Sequence, residues 1–250
     1  MSSYLEWKKR AIVMGSGGWW LPPNFDPDDC LAAYQFKGAG SESAALTDLT
    51  GHGYELTKND PDRLMDFDNS AGFVWARNAW RAIRYLHNAE LTKDLYGFES
   101  TEITSYIIRY ASLSIGDGYD FAYRLTFADG HLSVYYPHNH EWGGEWVQNA
   151  VYMYRTTPSW TDADGVIGYN MGFKTTTAEN SGDLYINGAL IPVDNRTTFT
   201  GLQERTTIPL FGHNGAAGNV GPYTMVAGAF YKKKLTADEM SYIYNQIAAI

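Results

Sequence analysis

The stretch Asp183-Leu184-Tyr185-Ile186-Asn187-Gly188-Ala189-Leu190-Ile191 decides how this chain is read. Asn187-Gly188 stands between two short apolar runs, and both residues tolerate positive φ. A type I′ turn therefore forms at little cost, and its twist suits the flanking strands. The stretch predicts a β-hairpin. Downstream, Leu210-Phe211-Gly212-His213-Asn214 and Tyr223 to Tyr231 read as further strands. Leu235-Thr236-Ala237-Asp238-Glu239-Met240 then carries a full helix start. Thr236 can cap, Glu239 can close a capping box, and Leu235 can staple onto Met240. Met240, Ile243, Tyr244 and Ile247 fall on one helical face.

In this order, Leu184, Tyr185, Asn187, Gly188, Phe211, Gly212, Leu235, Thr236, Glu239, Ile243, Tyr244 and Asn245 carry a resemblance. The pattern resembles the C-terminal part of laminin-G-like, concanavalin A-like jelly rolls, and covers about the last third of the chain. It implies an antiparallel two-sheet sandwich and nothing specific about a ligand. Trp19-Trp20-Leu21, followed by the run from Cys30 to Ala39, resembles the opening of a group of bacteriophage-encoded proteins with this jelly roll. Phe36 stands where those proteins usually have proline. Gly72-Phe73-Val74-Trp75 and Arg84-Tyr85-Leu86 are similar to the strands that follow in them. The resemblance implies a phage origin and a component of the virion.

Composition supports a single all-β domain. The chain has 250 residues, 44% apolar, with 8 Trp and 19 Tyr, which suits half-buried pleated surfaces. Tyr119, Phe121, Tyr123, Leu125 and Phe127 alternate with smaller or polar residues, which predicts a strand with one buried face. Ala128-Asp129-Gly130 turns into Leu132, Val134 and Tyr136, which alternate again. Ile103 to Ala111, Val147 to Tyr154 and Gly165 to Phe173 also read as strands. The formal net charge of −9 argues against a nucleic-acid partner, which needs a basic surface. No apolar run is long enough for a membrane helix. The single Cys30 excludes an internal disulfide and reads as a buried thiol.

Residues 1–23 read as an attachment segment ahead of a jelly roll at 24–250. Residues 3–13 predict a short helix with Tyr4, Trp7 and Ala11 on one face. A Gly-Trp-Pro arm containing Trp19 and Trp20 follows. Two readings of the arm stand side by side: the tryptophans fold back and cover the sandwich, or helix and arm attach the protein to an assembly through Tyr4, Trp7, Trp19 and Trp20. On the second reading, deleting residues 1–23 leaves a folded sandwich.

Glycosidases of related jelly rolls place paired acids on one strand as E-x-D-x-x-E, and no such run occurs here. Glu141-Trp142-Gly143-Gly144-Glu145-Trp146 is the nearest paired-acid candidate, and its glycines predict a loop. A loop would not hold two carboxylates rigidly for acid–base work. We therefore expect no catalysis and no catalytic residue. Tyr135, His138, His140, Trp142, Glu145 and Trp146 in the same region suit sugar rings, whose C–H faces stack on aromatics while hydroxyls take hydrogen bonds. His138-Asn139-His140-Glu141 lacks the ligands a zinc site needs. Asp162-Ala163-Asp164-Gly165 resembles the start of a calcium loop without its closing ligands, so Asp162 and Asp164 are the metal candidates, calcium the ion they would take, and a plain turn the default.

These readings lead to a virion protein on the particle surface that displays a jelly roll and adheres to surface glycans. Its partners would be other virion proteins, bound through the N-terminal segment, and host glycans, and a homo-oligomer is compatible. The alternatives are a structural decoration or tail-assembly protein and an atypical glycoside hydrolase.

Overall fold

The computed structural model describes residues 18–58, 65–75, 84–96, 103–111, 121–127, 130–138, 141–148, 154–156, 165–172, 183–190, 211–213 and 223–250. They form two sheets. Sheet A runs β13 (Ala189–Leu190), β12 (Asp183–Ile186), β11 (Gly165–Gly172), β6 (Ile103–Ala111), β15 (Tyr223–Tyr231), β4 (Gly72–Trp75), β3 (Met65–Asp68), with β1 (Cys30–Gln35) also on β15. Sheet B runs β10 (Tyr154–Thr156), β9 (Glu141–Gln148), β8 (Gly130–His138), β7 (Phe121–Phe127), β14 (Phe211–His213), β5 (Arg84–His87), β2 (Thr57–Lys58). Neighbouring strands pair antiparallel, apart from parallel β14 and β7. Three helices join them: α1 (Glu42–Ala45), α2 (Ala89–Tyr96) and α3 (Ala237–Ile247). The expected all-β, two-sheet sandwich is what the chain forms, with its helices short. The strand expected over Val147 to Tyr154 is instead the end of β9 and the start of β10, with residues 149–153 outside the described residues.

Strands β1, β6 and β15 of sheet A are largely buried on both faces, and their side-chain sizes follow from what covers each. Toward sheet B lie Tyr34, Tyr106 and Phe230, joined by Phe36 and Phe73. Their rings meet edge-on, tilted or stacked, arrangements that aromatic quadrupoles favour. On the other face Ala33 stands beside Ala229, and Ala229 beside Ile107. These small residues let α3 lie close, so Met240, Ile243 and Ile247 bury completely against the cluster. Burying each such side chain stabilises by about 1.5–3 kcal/mol.

The two local motifs form as the sequence predicts. Asn187 has φ 50° and Gly188 φ 77°, as a type I′ turn requires. In α3 the Thr236 hydroxyl accepts from the Glu239 N–H at 3.2 Å, and a Glu239 carboxylate oxygen accepts from the Thr236 N–H at 2.8 Å. At the other end the Arg109 guanidinium donates to the Ile247 carbonyl at 3.0 Å. That carbonyl also accepts from the Ile250 N–H at 3.3 Å, and the guanidinium places a cation at the negative end of the helix dipole.

Trp19 and Trp20 are each only 8% exposed and belong to the cluster under α3. The Tyr231 hydroxyl donates to the Trp20 carbonyl at 2.9 Å, and Phe25 packs edge-on to the Tyr231 ring. The tryptophans thus cover the sandwich. Tyr4, Trp7 and the helix expected over residues 3–13 lie outside the described residues.

Candidate functional site

The ribbon of β8, β9 and β10 closes one edge of sheet B and holds most of the sugar-binding candidates. Register places Tyr135 beside Gly143, and Gly143 beside Arg155. Ser133 is beside Glu145, Leu132 beside Trp146, and Trp142 beside Thr156. His138 pairs with Glu141 beyond an irregularity in the ladder. Tyr135, His138, Trp142, Glu145 and Trp146 all lie on two adjacent strands, but register puts Tyr135, His138 and Glu145 on one face and Trp142 and Trp146 on the other. His140, Asp162 and Asp164 lie outside the described residues. Among the described residues no group of three or more His, Cys, Asp or Glu is placed to hold a metal ion.

One expectation fails here. Glu141 to Trp146 is part of a strand, not a glycine loop. Gly143 and Gly144 cost strand stability, but each has a paired neighbour on both sides. Trp142, Glu145, Trp146 and Val147 around them suit a pleated surface or tolerate it. Strand alternation puts positions 141, 143 and 145 on one face of β9 and 142, 144 and 146 on the other. The two glutamates are thus held in register, about 13 Å apart along the backbone at the usual strand rise.

A polar cluster that sequence reading passed over lies under β1. Asp48 is nearly fully buried and accepts from the N–H groups of Ala33 and Thr50 and from the Thr50 hydroxyl. His52 Nδ1 lies 3.0 Å from the Leu31 carbonyl, which makes that nitrogen the protonated one. Tyr54 donates to the Asp94 carboxylate at 2.5 Å, and burial, with Asp94 next, pushes its phenol well up. Each partner ties a loop to β1 or α2, so the cluster is a clasp. Its signal is Asp48-x-Thr50, an Asx-type local bond in a glycine-flanked turn.

No protein-family model matches the sequence, and no curated protein matches it. Solved structures do. A Trypanosoma rangeli sialidase in complex with a difluorinated nononic acid aligns over 97% of this chain and 38% of its own, with 12% identity and a TM-score of 0.65. The binding domain of botulinum neurotoxin DC aligns over 88% of this chain and 52% of its own, with 14% identity and a TM-score of 0.61. A structure of botulinum neurotoxin type C, whose cell entry is described as dependent upon interaction with two ganglioside molecules, aligns with 13% identity over 88% of this chain and 52% of its own, TM-score 0.59. At these identities the likeness shows the β-sandwich fold. The chain spans about a third of the sialidases and about half of the neurotoxin chains.

The expectation of no catalysis is corrected by these findings. Sialidase chains contain this fold, at 11–12% identity. The paired-carboxylate rule behind the expectation also has exceptions, sialidases with a tyrosine nucleophile among them.

Proposed function

We propose that this chain is a glycan-binding β-sandwich domain, displayed on the surface of a bacteriophage particle. The observation that carries the glycan reading is the sandwich itself, aligned almost end to end with part of a sialidase and also with a neurotoxin described by its ganglioside interaction. The β8–β9 ribbon supports it, because one of its faces carries Trp142 and Trp146 and the other Tyr135, His138 and Glu145, residue types that stack on sugars and bond their hydroxyls. The phage setting is supported by the resemblance at Trp19 to Ala39 and at Gly72 to Trp75. Attachment would then use residues 1–17, and calcium at Asp162 and Asp164 would stiffen a loop. Many copies on one particle would raise avidity by about a hundredfold or more where spacing allows simultaneous contact.

A glycan array probed with the purified chain, monomeric and multimerised on beads, tests the proposal. Specific glycans bound at modest affinity by the monomer and strongly by the beads are expected. An array with no glycan bound by the beads overturns it.

A further inference from the structure

The tip of the β12–β13 hairpin joins an amide side chain to a glycine, and that pair is chemically reactive. Asn187 is exposed and precedes Gly188. The backbone nitrogen that follows an asparagine can attack its side-chain carbonyl carbon, because the ring that closes has five members. A glycine in the next position puts no side chain beside that nitrogen and leaves the backbone free to reach the closing angle. Asn214-Gly215 is the same dipeptide and lies outside the described residues.

The fold holds the two reacting atoms apart. Asn187 has φ 50° and Gly188 φ 77°, and the pairing of Ile186 with Ala189 closes the two-residue turn. In a type I′ turn ψ at the first central residue is about +30°. The Gly188 nitrogen then stands nearly opposite the Asn187 side chain across the Cα–C bond, whereas ring closure needs it on the same side. Reaction therefore requires the turn to open. Opening meets a second restraint. A Cβ built on Gly188 would lie 2.7 Å from the Tyr244 ring, so that ring sits directly against the Gly188 backbone. Tyr244 is itself packed, partly buried, against the cluster under α3. The tip cannot swing out without leaving α3.

We propose that Asn187 is a site of spontaneous covalent modification, and that the folded hairpin and the Tyr244 ring gate it. The Gly188 nitrogen forms a bond to the Asn187 side-chain carbonyl carbon. The bond from that carbon to Nδ2 breaks, and ammonia leaves with the Gly188 amide proton. Water then opens the cyclic imide. Opening at the side-chain carbonyl leaves aspartate in a normal backbone. Opening at the main-chain carbonyl leaves isoaspartate, with the chain now running through the side chain. Both products add a negative charge to the tip. Isoaspartate also adds a methylene to the backbone. A two-residue turn cannot absorb it without disturbing the pairs Ile186 with Ala189 and Tyr185 with Leu190. The hairpin that protected Asn187 then cannot re-form, so each opening that reacts is recorded permanently.

The full chain, native and unfolded in urea, is held in mildly alkaline buffer beside a synthetic peptide of residues 183–191, and conversion of Asn187 is followed by site-resolved mass spectrometry. The peptide and the unfolded chain should convert at similar rates. The native chain should convert about tenfold more slowly or slower still, because reaction waits on local opening. Tyr244→Ala should speed the native reaction several-fold and leave the rate in urea unchanged. Tyr244→Phe keeps the ring and should keep the native rate, which separates the ring contact from general destabilisation. Gly188→Ala should slow the reaction in urea, which ties it to attack by the nitrogen of residue 188. Native conversion as fast as the peptide's would overturn the gate, and an Asn187 that stays intact in the unfolded chain would overturn the site. Equal native rates in the wild type and Tyr244→Ala would overturn the part given to the ring.

Discussion

At the scale of single residues, two glycines show how surroundings set the cost of a methyl group. Gly72 has φ 119°, and a Cβ there would lie 2.1 Å from the Met225 carbonyl oxygen. That oxygen belongs to central strand β15 and cannot yield without breaking pairing. Gly188 has φ 77°, and its Cβ would meet the Tyr244 ring at 2.7 Å, which a side chain can relieve by turning. Gly72→Ala should therefore cost about 3 kcal/mol or more and Gly188→Ala about 1–2 kcal/mol, by urea denaturation. Buried hydroxyl and thiol groups set the alkaline limit. Burial first, with nearby acidic groups, pushes Cys30, Tyr34 and Tyr231 well above their ordinary values. Their neutral forms suit the fold, so their contribution is complete below the unfolded values and is lost as pH rises beyond them. Stability should fall from about pH 9 upward, and Tyr231→Phe should flatten that decline. An unchanged alkaline slope in that variant would count against the buried Tyr231 hydroxyl.

At the scale of elements, legibility followed how local the signal is. The turn at Asn187-Gly188 and the cap at Thr236 to Glu239 are set by neighbours in sequence, and both formed as read. Strand β9 was misread because Gly143-Gly144 is a local loop signal that pairing with β8 and β10 overrides. The cap also sets an acid limit. Burial alone would raise the Glu239 carboxyl, but the Thr236 N–H and hydroxyl and the Lys233 ammonium outweigh it and hold the value below the ordinary range. A lowered folded value means stability that is present above the unfolded value and lost as pH falls through the folded one. Far-UV circular dichroism should show loss of helix as pH falls below the ordinary carboxylate range. Thr236→Ala should cost about 1 kcal/mol at neutral pH and shrink that acid dependence.

At the scale of the whole molecule, the two ends of the chain build one layer over sheet A, and this decides what a truncation does. The reading of residues 1–23 as a removable arm took the Gly-Trp-Pro composition of residues 15–23 as a linker. Yet Trp19 and Trp20 share the cluster of Met240, Ile243 and Ile247, and long-range burial of this kind leaves no periodic trace in sequence. Trp-to-Ala changes in cores cost about 3–5 kcal/mol. Both indole N–H groups are buried without a partner among the described residues, which offsets about 1–3 kcal/mol of that each. Trp20→Phe, which discards the unpaired donor and keeps a ring, should therefore cost much less than Trp20→Ala. A chain beginning at residue 26 loses both rings, the Tyr231 to Trp20 hydrogen bond and the Phe25 contact with Tyr231. Against a chain beginning at residue 18, its melting temperature should fall by roughly 10 °C or more. Cys30, fully buried beneath this layer, should at the same time begin to react with a thiol reagent under native conditions. Equal melting temperatures and an inert Cys30 in both chains would show that the arm lies on the sandwich without holding it.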